Sequence, residues 1–124
     1  WFPMILSTMY VFWWANIGWL MFTIGFITLY GPMFYLGIKG MPRRYYDYDE
    51  IFHGGNIISS MGSWVMIAGF AIILINLISA RKSKSRAPAD PYGGSTFEWT
   101  IPSPPPLENF EEIPKLKKGP YQYD

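Results

Sequence analysis

The chain has 124 residues, of which 50% are hydrophobic and 19% aromatic, with a formal net charge of +1. That composition is too apolar for a disordered chain and too nearly neutral for a protein that grips nucleic acid through its phosphates. The absence of cysteine removes disulfides, thiolate metal sites and cysteine nucleophiles together.

The average hides a strict segregation of charge. Residues 1–38 carry none, residues 51–80 carry only His53, and the rest lies in the stretch between them or after Ala80. The N-terminus has neither a basic flank nor an initiator methionine, so it does not read as a targeting peptide. The chain is expected to be processed or to belong to a longer product.

A membrane span needs about 20 mostly apolar residues, because the hydrocarbon core is roughly 30 Å thick and a helix rises about 1.5 Å per residue. The first stretch that qualifies runs from about Val11 to about Ile38. Trp13, Trp14 and Trp19 near one end and Tyr30 and Tyr35 near the other suit the two interfacial aromatic belts. Pro32 is expected to kink or end its last turns. A turn follows over residues 39–55, and a second span runs from about Asn56 to Ala80, closed by Arg81, Lys82, Lys84 and Arg86. The fold class expected is an all-α membrane protein, a two-helix transmembrane hairpin over residues 1–80 with an extended Pro-rich tail over 81–124. The basic cluster puts both chain ends on the cytoplasmic or matrix side and the turn on the other.

Small residues recur along each span. Gly18 and Gly25 stand two turns apart in the first; Gly55, Ser59 and Ser63 recur every fourth residue in the second, with Gly62 and Gly69 beside that line. They offer a close approach to a neighbouring helix and suggest that the hairpin sits in a larger bundle. In the tail, PYGG reads as a turn, STFEWTI as a short strand and PSPPP as a stiff extended segment. Phe97, Trp99 and Phe110 read as anchors on a partner surface.

The turn GMPRRYYDYDE holds the chain's most concentrated charge. Arg43 and Arg44 follow Pro42 directly, so a turn holds their backbone, and their planar donor forks suit carboxylate or phosphate. Three uses stay open from spacing: pairing with Asp47, Asp49 and Glu50, which spacing alone favours, binding of lipid phosphate, or a clamp on an acidic cofactor. His53 is the only imidazole and reads as a partly exposed hairpin residue. The three acids lack the ligand spacing of a cation loop, and Gly93-Gly94 lacks the lysine and helix of a phosphate loop. No nucleophilic triad can be assembled, so the isolated chain is not expected to be an enzyme.

These motifs together resemble the C-terminal end of subunit I in the haem-copper oxidase family. GMPRRYYDYDE resembles that family's GMPRRY-x-DYP turn, and GNIISSMGS resembles the WN-x-ISS-x-GS opening its final helix. STFEWTIPSPPPLENFEEIP resembles the family tail with its LEW, PPP and FEE-x-P, and WFP at residues 1–3 with Trp14-Ala15 resembles the connection after the tenth helix. The similarity covers about residues 1–115.

The resemblance implies that the spans correspond to helices eleven and twelve of a twelve-helix bundle that reduces oxygen to water and pumps protons. It implies that Arg43 and Arg44 bond the propionates of two haems, and that Tyr30 lines a haem-pocket wall. The haem-ligating and copper-ligating histidines of the family lie on earlier helices, so the haems would be shared and copper not ligated by this chain. Implied partners are an N-terminal ten-helix piece, other oxidase subunits and membrane lipid. The implied location is the mitochondrial inner membrane, or alternatively a bacterial plasma membrane. A naturally split subunit I is expected, which an intact mass near the chain's own 14.3 kDa would support. A non-catalytic two-span accessory or assembly subunit is the alternative. The chain departs from the family pattern with Met33-Phe34 in place of Gln-His, and with Gly18, Ile27, Asp49 and Gly55 in place of His, Asn, Pro and Trp.

Overall fold

A computed structural model describes residues 1–83, 86–94 and 96–110. Lys84 of the basic cluster and the FEE-x-P similarity beyond Phe110 lie outside the described residues. The chain is an all-helical, two-span membrane hairpin. A short helix α1 (Phe2–Leu6) precedes the long helices α2 (Phe12–Ile38) and α3 (His53–Lys82). Both long helices are long and apolar enough to cross a membrane.

The described residues form two compact units: Val11–Asn76, and Trp1–Tyr10 with the chain from Leu77 onward. In the first unit, the two long helices touch at intervals of two turns. A Cβ added to Gly18 would come within 2.7 Å of Ile73 Cγ1 and 3.1 Å of the Gly69 carbonyl oxygen. One added to Gly25 would strike the Met66 backbone, and one added to Gly62 the backbone at Leu29. Val11 pairs with Asn76 in the same antiparallel register. The contact positions on α3 are therefore Gly62, Gly69 and Asn76, each seven residues from the next. That is the repeat by which two nearly antiparallel helices keep one seam in register.

The close approach expected of the small residues is made, and within this chain it is made by the hairpin's own helix pair along the seven-residue line. Ser59 is buried by the same packing, but Ser63 is only partly covered. Gly55 belongs to the contact too, since a Cβ there would meet the Leu36 side chain at 2.7 Å. Two departures from the family pattern, Gly18 and Gly55, thus lie where α2 and α3 come closest, whereas Ile27, Met33 and Phe34 face outward.

Asn76 is a polar residue in an apolar run, and it is only 7% exposed. Its Oδ1 accepts from Val11 N at 3.1 Å and its Nδ2 donates to Val11 O at 2.9 Å. Val11 is the N-cap of α2, where backbone N–H groups have no partner within the helix. One amide thus satisfies both its own polar atoms and an orphan donor at the helix end.

Pro32 does not end α2, which runs on to Ile38. α3 starts at His53 and ends at Lys82, so it exceeds the expected second span at both ends. Gly54 and Gly55 are poor helix formers, yet packing on Leu36 holds Gly55 in the helix.

In the second unit, the tail segment folds along the N-terminal residues. Ser103 Oγ donates to the carbonyls of Pro3 and Met4 and lies 3.0 Å from Ser7 Oγ. Ala87 N donates to Ser7 O, and Thr8 bridges Arg86. The expected strand at STFEWTI is instead a 3-10 turn, Phe97–Trp99. Here Trp99 N bonds Thr96 O locally, and no second strand lies alongside among the described residues. PYGG is a turn, closed by Asp90 Oδ1 accepting from Tyr92 N and Gly94 N. Phe97 meets Phe110 edge-on at 6.4 Å and Trp99 meets Tyr92 at 5.2 Å, so the three expected anchors pack within this unit.

Candidate functional site

The end of α2 builds the turn that carries the arginines. Gly40 N donates to Gly37 O and Met41 N to Leu36 O, with Gly40 at φ 90°. These two bonds and the left-handed glycine form a Schellman stop, which needs glycine at that position and brings residue 41 back over residue 36. Pro42 then removes the next backbone donor and prevents helix from resuming. The chain emerges with Arg43 and Arg44 directly beyond the stop.

Arg44 has φ 55°, uncommon for a residue with a side chain. Both arginines are exposed, and together with Met33, Leu36, Gly37, Met41, Pro42, Tyr45 and Asn56 they line a groove of about 350 Å³. Five of the lining residues, Met33, Leu36, Gly37, Met41 and Pro42, are apolar, and the two arginines are the charged members. Asn56 fixes the far wall, donating from Nδ2 to Phe52 O at 2.9 Å and lying 3.7 Å from Met41 Sδ.

Spacing favoured pairing of these arginines with Asp47, Asp49 and Glu50. Among the described residues no ion pair within 4.0 Å joins them. Asp47 instead turns back on the chain, its Oδ1 accepting from Tyr48 N at 2.9 Å, and Asp49 precedes the 3-10 turn Glu50–Phe52. Tyr48 stacks on His53 at 6.3 Å and meets Tyr45 edge-on at 5.5 Å, so a row of rings fills the turn. His53 is exposed at the start of α3.

Tyr30 lies on the other side of the same helix end. Its ring packs on Phe26 at 4.7 Å, and with Met33, Phe34, Gly37 and Ile38 it lines a groove of about 450 Å³. Met33 and Gly37 border both grooves. A Cβ on Gly37 would meet nothing within 4 Å, so the surface between the two grooves is open. The structure thus brings Tyr30 and the arginine pair to adjoining apolar surfaces on one end of the hairpin.

Sequence reasoning passed over Met33, Leu36, Gly37 and Asn56 as lining residues. The signal available for them was the pairing of Leu36 and Gly37 with GM at 40–41, which a Schellman stop makes predictable. Chemically, an exposed cationic pair beside an apolar lining suits a ligand with an apolar body and anionic groups.

Comparisons with known proteins bear on this arrangement. Residues 1–65 match the family described as Cytochrome C and Quinol oxidase polypeptide I. Cytochrome c oxidase subunit 1 of Thermostichus vulcanus is 45% identical over 92 residues, covering 74% of this chain and 17% of that protein. The subunit 1 of Cereibacter sphaeroides is 39% identical over 100 residues, covering 78% of this chain and 18% of that protein. That of Synechocystis is 34% identical over 123 residues, covering 99% of this chain and 22% of that protein. The chain therefore spans about a fifth of the length of the curated relatives it matches.

Proposed function

The chain belongs to the cytochrome c and quinol oxidase polypeptide I family, and on that premise we propose that it supplies the last two helices of an oxidase core bundle and clamps haem propionates with Arg43 and Arg44. The observation that carries this reading is the exposed arginine pair, without an acid partner among the described residues, lining a groove whose other members are mostly apolar.

When bound in such a bundle, haem and copper supply the electron transfer and oxygen reduction. This chain's residues act on charge and position. Two fixed guanidinium groups offset propionate carboxylates near a low-dielectric interior and so hold them ionised. Cations there favour the reduced haem and raise its potential. Tyr30 contributes an apolar wall with a polar tip, and the Schellman stop keeps the arginines from swinging away from the groove.

In this proposal the other ten helices and further oxidase subunits are the partners. The bundle sits in the mitochondrial inner membrane or a bacterial plasma membrane, with the tail on the matrix or cytoplasmic side. Replacing both arginines, Arg43→Leu with Arg44→Leu, tests it. In the assembled complex the haem midpoint potential should fall by roughly 60 mV, equivalent to a tenfold change for a one-electron couple. Oxygen consumption should fall with it. Unchanged haem spectra, potentials and turnover in a fully assembled complex would overturn the clamp and leave a two-span accessory subunit as the better account.

A further inference from the structure

A third groove at the same end of the hairpin is built differently from the two above. It has a volume of about 220 Å³ and is lined by Tyr35, Leu36, Lys39, Ile51 and Phe52. Its floor and walls are apolar or aromatic, and its one charged lining group is the Lys39 ammonium. Leu36 is the only lining residue it shares with the arginine groove.

Lys39 is the C-cap of α2, with its N–H donating to Tyr35 O at 3.0 Å. Its Nζ sits 5.5 Å from the Tyr35 ring centre, so the side chain lies over the groove wall. Among the described residues no acid pairs with it within 4.0 Å. Tyr35 is 59% and Ile51 81% exposed, so the apolar wall is open to its surroundings.

Position decides what kind of ligand this suits. The end of a spanning helix lies at the level of lipid headgroups, where a lysine keeps its stem along apolar surface and its head among phosphates. A small soluble anion would gain nothing from an apolar floor. An apolar helix would cover the floor but leave the ammonium without an anion. An amphiphile with an anionic head answers both halves of the groove.

We propose that the groove beneath Lys39 seats an anionic glycerophospholipid. The Lys39 ammonium holds its phosphate, and the upper part of one acyl chain lies against Tyr35, Leu36, Ile51 and Phe52. This site goes beyond the haem clamp and uses neither arginine, so each can fail without the other.

The test uses the full chain purified within its membrane assembly and placed in phosphatidylcholine nanodiscs. A minority of phosphatidylglycerol carries a photoreactive group on its acyl chain, and crosslinks are mapped by peptide mass. Labelling is expected on the peptides containing Tyr35 and Ile51. It should fall about fivefold in Lys39→Gln, the change one basic residue makes at an anionic surface. Lys39→Arg should retain it, and an unchanged elution volume and subunit composition of the purified assembly in both variants certify assembly. Equal labelling in Lys39→Gln overturns the proposal. So does equal labelling when the same group is carried by phosphatidylcholine, because the site would then be blind to headgroup charge.

Discussion

The helix pair and the tail unit solve the same problem, holding chain segments together, with opposite materials. Between α2 and α3 the contact is close: at Gly25, Gly62 and Gly69 backbone faces backbone, and at Gly18 and Gly55 an aliphatic side chain packs directly on the glycine. In the tail unit, short irregular segments are joined by polar side chains to carbonyls, as at Ser103 and Asp90, and by aromatic edges. The difference follows from solvent. In lipid, apolar side chains gain nothing by leaving the hydrocarbon, so helices associate through close van der Waals contact and the occasional hydrogen bond. In water, a segment too short for its own core gains from every satisfied donor and each buried ring.

The sharpest way to break this contrast is to put bulk on the seam. In Gly25→Leu the new side chain meets the Met66 backbone, which has no rotamer to move, and the helices must separate. A loss of about 3 kcal/mol is expected, at the upper end for overpacking. Near-UV circular dichroism of the tryptophans, followed on heating the chain in nanodiscs, reads it. Gly31→Leu is the control, because a Cβ there meets nothing within 4 Å and should leave the midpoint nearly unchanged. Equal loss in both variants would mean that the glycine seam does not hold the hairpin.

Asn76 joins the two helices by side-chain hydrogen bonds, and removing it should cost less. Asn76→Leu leaves Val11 N without its acceptor, while Val11 O still accepts from Ala15 N at 3.1 Å. One orphaned donor at a membrane helix end is expected to lower stability by about 1 kcal/mol. The same thermal measurement checks it, and hydrogen exchange at the start of α2 should accelerate. A variant as stable as the parent would place Val11 within reach of water.

The spans were legible because length, apolar composition and flanking charge all point one way at α2 and α3. The seam was legible in part, since Gly18, Gly25, Gly62 and Gly69 all stand where the helices meet; its line along the second span was missed for a geometric reason. A four-residue rule picks Gly55, Ser59 and Ser63, whereas two helices that stay in contact over many turns meet every seventh residue. Asn76 left a signal, a lone amide inside VMIAGFAIILINLI, but its partner is a backbone group 65 positions away that carries no side-chain code. In the turn, GMP announces a helix stop. What it does not announce is where the guanidinium groups point, and spacing alone sent them to the nearby acids. The tail's STFEWTI has the residue types of a strand but no second strand to pair with among the described residues, and local bonds hold Phe97–Trp99 instead.

The tail unit offers the smallest test, through Tyr92. Its hydroxyl lies 2.6 Å from that of Tyr10, and its pKa is pushed up from 10.0 to about 12, first by burial and then by the Tyr10 hydroxyl beside it. Because the folded chain holds this proton more tightly than the unfolded one, the contribution is complete below pH 10.0 and is lost as pH rises through about 12. The ring-carbon shift of isotopically labelled tyrosine, assigned through Tyr92→Phe, follows the titration. Tyr10→Phe should bring Tyr92 only part of the way back, since burial is the larger cause. A full return to 10.0 would make the hydroxyl pair, rather than aromatic packing, the feature that protects Tyr92, and the tail unit would then be held by polar contacts even where its rings meet.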